Sequence, residues 1–272
     1  MPTDQLNPNT INTALVGTPF SGKMHHLATI ESTNTHALAQ IKQAAPHGSF
    51  YIADEQTAGR GRSDHQWHSA LSQGLYLSVL LRPAITAPEL VWIPLLAGLA
   101  AHSAITEATG LTADLRWPND LLIGPRKTGG ILVEAQTDSG KVTGVVIGIG
   151  INLHQQQFPL SLAGQAFSTE PTSLDLETGR ITSRQQLLIA ILQSLDTELK
   201  IFHSQNRHTA LSQIPSRIEA ISTWVNNRRV EVHGPQPCTG ITAGLDPQGF
   251  LKVRTATGLI TITTGGIRAA AN

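Results

Sequence analysis

Lys127 is the one lysine, next to Arg126, between a Gly124-Pro125 turn and a Gly129-Gly130 pair, inside the stretch RWPNDLLIGPRKTGGILVE that runs from Arg116 to Glu134. A hairpin built only for structure needs turn residues and alternating apolar side chains. Paired glycines weaken a strand and mark places where a ligand or another backbone comes close. A fixed positive charge beside bare backbone suits an anion, although the same lysine, taken alone, fits equally well as a solvated hairpin-tip residue. Upstream, DEQTAGRGRSDHQW (54–67) alternates glycine with arginine. Gly59 and Gly61 expose backbone N–H groups, and Arg60 and Arg62 supply guanidinium forks that pair bidentately with phosphate or carboxylate. The segment lacks the G-x-x-x-x-G-K-[ST] spacing of a Walker loop, and by itself it also fits a charged surface loop. Two unusual polar segments flanking apolar strands are more economically placed around one shared site.

Further chemistry-bearing positions follow the same logic. In GVVIGIGIN (144–152), Gly148 and Gly150 fall on one face of a β-branched strand. They leave either a trough for a flat apolar group or a seat for a packed helix. A dinucleotide fingerprint does not fit, because its third glycine is missing. Ser32-Thr33-Asn34 stands at a helix start, where such residues cap the helix and where free N–H groups also reach ligand atoms. Asp120 and Glu134 are carboxylates near Lys127 in sequence, and Asp120 could equally lock the Trp-Pro-Asn-Asp corner by bonding to backbone N–H groups. The 11 histidines show no metal-ligand spacing. No G-x-S-x-G elbow occurs, and Cys238 lies far from any candidate base, which disfavours a nucleophilic hydrolase.

The elements that must position these residues are legible from periodicity. Strands are expected at Ile11–Val16, Leu27–Ile30, Phe50–Ala53 and Leu75–Leu81. Ser32 or Thr33 should cap a helix that ends at Pro46. A long helix from about Ile93 to Thr109 tolerates Pro94 in its first turn and stops at Gly110. Strands at Ala113–Trp117, Leu121–Ile123, Gly130–Gln136 and Val142–Asn152 follow, the last two joined by an Asp138-Ser139-Gly140 turn. Residues 155–182 read as loop, then Leu187, Leu188, Ile191, Leu192, Leu195 and Leu199 recur at helical spacing. A shorter helix covers roughly Thr209–Glu219. From Val230 short alternating strands, about fifty residues of chain, suggest a small barrel. Two domains are therefore expected, 1–222 and 223–272.

Composition narrows the class. The 272 residues are 40% hydrophobic and 14% charged, a globular profile. Lys+Arg and Asp+Glu are both 19, so no global field attracts nucleic acid or anionic lipid and any anion site must be local. The single cysteine fits a reducing compartment. The polar N-terminus lacks a secretory signal pattern, and the apolar run Val91–Ala101 is shorter than the roughly 18 residues a bilayer span needs. A cytoplasmic protein without membrane or nucleic-acid partners is expected.

Assembled, these motifs resemble the biotin protein ligases, also called biotin–[acetyl-CoA-carboxylase] ligases or holocarboxylase synthetases. The resemblance rests on ESTN at 31–34, Gln56…Gly59-Arg60-Gly61-Arg62…Trp67, RWPND at 116–120, Lys127…Gly129-Gly130-Ile131-Leu132-Val133-Glu134, Gly148-Ile149-Gly150-Ile151-Asn152 and the terminal barrel. It implies an α+β fold: a mixed-sheet, class II synthetase-like catalytic domain flanked by helices, with a small SH3-like β-barrel. It further implies that biotin and ATP, with Mg2+, form biotinyl-5′-adenylate, and that a lysine of a biotin carboxyl carrier protein then takes the biotinyl group. Lys127 matches the lysine that bridges the biotin carboxylate and the phosphate, with Arg62 as the second active-site cation. Ser32, Thr33, Asn34, Gln56, Arg60, Gly61, Arg62, Lys127, Gly130, Gly148 and Gly150 match biotin-binding positions. Arg62, Trp67, Asn119, Asp120, Lys127 and Asn152 match the nucleotide side.

Two departures from the family pattern stand out. Ser63-Asp64-His65-Gln66 replaces the glycine and basic residues that commonly follow Arg62, which removes positive charge from the loop. About thirty residues precede Ser32, too few for a winged helix, so the resemblance is to the monofunctional class and no repressor role on DNA is expected. The oligomeric state, monomer or homodimer, stays open. A lipoate or octanoyl transferase would call for an arginine-rich Ser-Gly-Gly-Gly type loop, which is missing. A non-catalytic RNA or peptide adaptor would call for a more cationic and aromatic barrel.

Overall fold

Lys127 sits on a seven-stranded mixed sheet in a computed structural model that describes residues 5–62, 65–159, 161–162 and 165–270. The strands are β1 (Met24–Ile30), β2 (Phe50–Gln56), β3 (Gly74–Leu81), β4 (Asp114–Arg116), β5 (Asp120–Ile123), β6 (Arg126–Asp138) and β7 (Lys141–Asn152), in the spatial order β1-β2-β3-β7-β6-β5-β4. Only β1 and β2 pair in parallel; the other neighbours are antiparallel.

The two-residue period of β3 and β7 decides which side chains meet. On β3, Leu75, Leu77, Val79 and Leu81 join the main core, while Tyr76, Ser78 and Leu80 face the other way. On β7, Val145, Ile147, Ile149 and Ile151 enter that core, which leaves Val146, Gly148, Gly150 and Asn152 on the opposite face. Small and polar residues alternating with β-branched ones thus give one wall packed by helices and one wall open to a site.

Helix α1 (Pro8–Ala14) replaces the strand expected at Ile11–Val16. Asn7 Oδ1 accepts from the Asn9 and Thr10 backbone N–H groups, and Pro8 occupies the first helical position. This start signal outweighs the β-branched residues that follow. Helix α2 (Thr33–Lys42), capped by Ser32, packs Ala37 and Ile41 against Tyr51, Leu80 and Val146 on the site side. Helix α3 (Trp92–Thr109) ends at Gly110, whose φ of 77° requires glycine there.

The Val91–Ala101 length argument against a membrane span needs correction. The helical stretch Ala87–Thr109 is long and apolar enough to cross a bilayer, but Ile93, Leu96, Ala97, Ala100, Ala101, Ala104 and Ile105 are fully buried in the core. Helix α4 (Leu174–Thr178), capped by Ser173, lies inside the 155–182 stretch expected to be loop. Helix α5 (Arg184–Leu199) packs on α3 as its leucine spacing requires. The helix expected over 209–219 divides into α6 (Arg207–Ser212) and α7 (Ile214–Ile221), with Pro215 in the first turn of α7, where its missing N–H is harmless.

A two-residue pair, β8 (Ser161–Leu162) and β9 (Gln165–Ala166), precedes α4. After α7 the chain forms an SH3-like five-stranded antiparallel sheet: β10 (Asn226–His233), β11 (Cys238–Leu245), β12 (Leu251–Thr255), β13 (Gly258–Ile262) and β14 (Gly266–Ala269), ordered β13-β12-β11-β10-β14. It is fastened to the larger sheet by specific bonds. Ser222 Oγ donates to Leu115 O at 2.6 Å, Trp117 Nε1 donates to Gly249 O at 3.3 Å, and Arg116 and Arg228 lie over the Trp224 ring.

Candidate active site

The open wall of the sheet, residues 60–62 and 65–67 and the edge of the C-terminal sheet line a cavity of about 620 Å³. All the site residues expected from the sequence line it: Ser32, Thr33, Asn34, Gln56, Arg60, Gly61, Arg62, Trp67, Asn119, Asp120, Lys127, Gly130, Gly148, Gly150 and Asn152. Ser63 and Asp64, which carry half of the loop's departure from the family pattern, lie outside the described residues.

At one end, Asp120 joins two cations. Lys127 Nζ is 2.6 Å from Asp120 Oδ1, while Arg116 donates through Nη2 and Nε to Oδ2 at 2.6 and 3.1 Å. Burial pushes the Asp120 carboxyl up, but Lys127 and Arg116 outweigh it and hold the group below the usual carboxylate range. Asp120 is therefore ionised, and its role in locking the corner is played through these side chains. The corner itself contains a cis Trp117-Pro118 bond. Lys127 is fixed by its backbone too: its N–H donates to Glu170 O at 2.8 Å, and its carbonyl accepts from Thr172 N at 2.9 Å. Arg116 Nη1 also donates to Thr169 Oγ1 at 2.8 Å, which ties the 168–172 segment to the charged cluster.

Arg62 reaches toward the same end. Its Nη1 donates to Asn119 Oδ1 at 3.1 Å and to Gly265 O of the C-terminal sheet at 2.9 Å. Burial pushes its pKa down and Asp120 pulls it back up, yet a guanidinium stays charged at any working pH. Asn119 is held in turn by donating from Nδ2 to Ile131 O at 2.8 Å. Asn152 faces the site but spends its amide on structure, donating to Thr172 O at 2.9 Å and accepting from Gln155 Nε2 at 3.2 Å.

The other end is a network of neutral polar groups. Gln56 Oε1 accepts from the Thr33 backbone N–H at 2.8 Å and from Thr33 Oγ1 at 3.1 Å, and its Nε2 donates to Ser69 Oγ at 2.8 Å. Ser78 Oγ donates to Asn34 Oδ1 at 2.7 Å and lies 2.8 Å from Thr33 Oγ1. Ser78 is fully buried and was absent from the sequence reading. Its signal was there, as the single polar residue in LYLSVLL.

Of the two readings of Gly148 and Gly150, the seat for a packed helix holds at Gly148, which takes Asn34 of α2, and the trough is partly filled by the protein's own side chains. A methyl group on Gly148 would stand 2.3 Å from Asn34 Oδ1, and one on Gly150 would stand 2.6 Å from Trp67 Nε1. The glycines are notches that seat Asn34 and Trp67. Trp67 Nε1 is buried with no hydrogen-bond partner, and Lys127 Nζ lies 5.6 Å from the Trp67 ring centre. Sequence reasoning also missed the contribution of the C-terminal sheet, whose His233, Gly265 and Arg268 line the cavity.

For magnesium the described side chains alone offer no cage. Among the described residues no three His, Cys, Asp or Glu side chains converge, and both Asp120 oxygens are engaged by Lys127 and Arg116. Mg2+ is commonly held through substrate phosphates rather than an all-protein cage.

A mixed sheet presenting cations, a neutral polar network and glycine notches in one cavity, with an SH3-like sheet closing its edge, defines an enzyme that holds an anionic small molecule. Residues 27–152 match the Biotin/lipoate A/B protein ligase family. The bifunctional ligase/repressor BirA of Bacillus subtilis is 34% identical over 240 residues, which are 88% of this chain and 71% of that protein. The biotin–[acetyl-CoA-carboxylase] ligase of Mycobacterium tuberculosis is 29% identical over 243 residues, 87% of this chain and 85% of its own. The solved structure of biotin protein ligase from Aquifex aeolicus in complex with biotin and ATP has a TM-score of 0.74 at 27% identity, covering 91% of this chain and 98% of that one. The chain belongs to the biotin protein ligase family and is an enzyme of the ligase class.

Proposed function

We propose that this chain activates biotin with ATP and transfers the biotinyl group to a lysine of the biotin carboxyl carrier protein of acetyl-CoA carboxylase. In the first step a biotin carboxylate oxygen attacks the α-phosphorus, the bond to the β-phosphate oxygen breaks, and pyrophosphate leaves. In the second, the lysine amine attacks the acyl carbon, loses a proton, and AMP departs with the bonding pair. The observation that carries this reading is the polarity of one cavity, with Lys127, Arg62 and Arg116 at one end and Thr33, Asn34, Gln56 and Ser78 at the other. A ureido ring needs neutral donors and acceptors. Two anions brought together for reaction need cations already in place.

Lys127 serves as the charge that offsets repulsion between carboxylate and α-phosphate, and Arg62 stabilises the phosphate from the loop side. Asn119, Asp120, Trp67 and Asn152 form the nucleotide side, and Gly148 and Gly150 seat Asn34 and Trp67 against the sheet so that these two side chains meet the ligand. Magnesium arrives with the ATP phosphates. The ligase half of the Bacillus protein's name is carried over and the repressor half is not, because a formal net charge of zero supplies no general attraction to DNA. One free cysteine, Cys238, is consistent with a cytoplasmic setting.

The test is exchange of labelled pyrophosphate into ATP. Exchange is expected with biotin and magnesium and none with lipoate. Folded protein that fails to exchange with biotin overturns the assignment, and exchange with lipoate alone would move the chain to the lipoate branch of the family.

A further inference from the structure

Lys127 stands where the large sheet stops holding its own strand. On one side it pairs with Leu122 of β5, but the register shifts just after it, so that Gly129 faces Leu121 and Thr128 is left over as a bulge. A bulge interrupts the ladder beside it and re-aims the neighbouring side chains. On the other side β7 does not reach Lys127, because the β6–β7 pairing begins at Gly129 and Ile151. Residues 170–172 take its place. The Lys127 N–H donates to Glu170 O at 2.8 Å, and the Thr172 N–H donates to Lys127 O at 2.9 Å. The height of Lys127 in the cavity is therefore set by a segment outside the regular strands.

Glu177 of α4 fastens that segment. Thr172 is 1% exposed and acts as a hub. Besides its bond to Lys127 O, its carbonyl accepts from Asn152 Nδ2 at 2.9 Å, and its Oγ1 donates to Glu177 Oε1 at 2.5 Å. Glu177 also takes Arg126 Nη2, which lies 2.8 Å from Oε1 and 2.9 Å from Oε2, so it holds the residue before Lys127 as well. Helix α4 is itself tied down: the Asp175 N–H donates to Leu153 O at 3.0 Å, and Asp175 Oδ1 accepts from the Thr182 N–H at 2.8 Å.

We propose that Glu177 is a positioning residue for the reaction: from outside the cavity it fixes Thr172 and Arg126, and through them the backbone of Lys127. The proposal rests on the adenylating function argued above. Glu177 does not line the cavity, so its effect on the chemistry passes through the two residues it binds. A carboxylate suits the place, because its two oxygens accept from a hydroxyl and a guanidinium together. Its side chain is only 11% exposed, which shields these bonds from water more than an open surface pair. The consequence for the reaction is geometric, since a reacting group displaced by about 1 Å loses about 10²-fold in rate.

Glu177→Ala tests this with two readouts. In substrate-free protein, the amide hydrogens of Lys127 and Thr172 should exchange with deuterium about ten- to a hundred-fold faster than in wild type, because a hydrogen bond to a charged group is lost from the segment that protects them. This arm needs no catalysis. Biotin-dependent pyrophosphate exchange at saturating substrates should fall by about ten- to a hundred-fold. Affinity for biotin methyl ester, which lacks the carboxylate that Lys127 meets, should stay as in wild type. In a Lys127→Ala background, Glu177→Ala should cost no further exchange activity, whereas damage to the fold would add to the loss. Thr172→Val should reproduce each effect, and Thr172→Ser, which keeps the Oγ donor, should behave as wild type; this pair decides the matter if Glu177→Ala does not fold. Unchanged amide exchange, full activity, or a loss that adds to that of Lys127→Ala overturns the proposal. Wild-type protein that exchanges no pyrophosphate with biotin would sink the functional reading instead, and the amide measurement would still decide whether Glu177 holds Lys127 in place.

Discussion

The charge on Lys127 is already matched. Asp120 holds it at 2.6 Å, and Arg116 holds Asp120 from the other oxygen. On the proposed function, a substrate anion entering this end would meet a lysine that already spends one of its three donors on Asp120. Arg116 on the other oxygen would keep that carboxylate paired if Lys127 shifted toward the anion. Lys127→Ala should consequently lower biotin-dependent pyrophosphate exchange by about 10²–10³-fold, the typical loss when one preorganised electrostatic contact at a reacting centre is removed. The fold should persist, because the Arg116–Asp120 pair remains. Near wild-type exchange, or a collapsed circular dichroism spectrum, would defeat this account. The glycine neighbours of Lys127 drew attention to it in the sequence but left it equally readable as a hairpin-tip lysine, and Gly129 has a packing need of its own, since a methyl group there would stand 2.9 Å from Gly150 O. Ser78 was not singled out, since one serine in an apolar strand has no partner until the fold brings Thr33 and Asn34 beside it.

Strand β7 shows how an element converts sequence period into a site. Its odd-numbered residues from Val145 to Ile151 are buried under the helices, so the glycines at 148 and 150 must face the cavity. Those glycines admit Asn34 and Trp67 at distances no side chain would allow. Gly148→Ala should displace Asn34 and strand its bonds to Ser78 and Glu134. One disrupted buried polar group costs about 1–3 kcal/mol, so the KM for biotin should rise by about ten-fold or more while the secondary structure is retained. An unchanged KM would mean that Asn34 does not shape the pocket. The alternation was readable in GVVIGIGIN, as were a cap at Ser32 or Thr33, which the structure puts on Ser32, and the Gly110 stop. Helix α1 was misread because its Asn7-Pro8 start acts through side-chain geometry that periodicity does not register. The Arg62–Gly265 bond joins residues 203 positions apart, and no local pattern announces a contact at that range.

Over the whole molecule, ionisable groups make the fold sensitive to acid in two separable windows. Burial raises the carboxyls of Asp54, Glu89 and Asp120, but hydrogen bonds and cations overcome it and leave all three below their ordinary values. A carboxyl depressed in the folded state contributes stability that is complete above its unfolded pKa, near 4, and is lost as the pH falls through the folded value. Three histidines act in a higher window. Burial lowers His36, helped by His25; it lowers His47, helped by Lys23, His203 and Arg82; and it lowers His233, where Arg268 and Arg116 prevail over Glu231. A histidine that resists protonation when folded imposes no penalty above pH about 6.5 and destabilises progressively below it, because the unfolded chain binds the proton first. The urea midpoint should thus be level from pH 8 to 7, decline gently below about 6.5 and fall steeply below about 4.5. Glu89 is clamped by Thr86 and Arg207 far from the cavity, so Glu89→Gln should soften the lower limb alone and leave the histidine limb and the exchange activity in place. A midpoint that rises on acidification between pH 7 and 5, or a lower limb untouched by Glu89→Gln, would show that these groups do not govern the acid response.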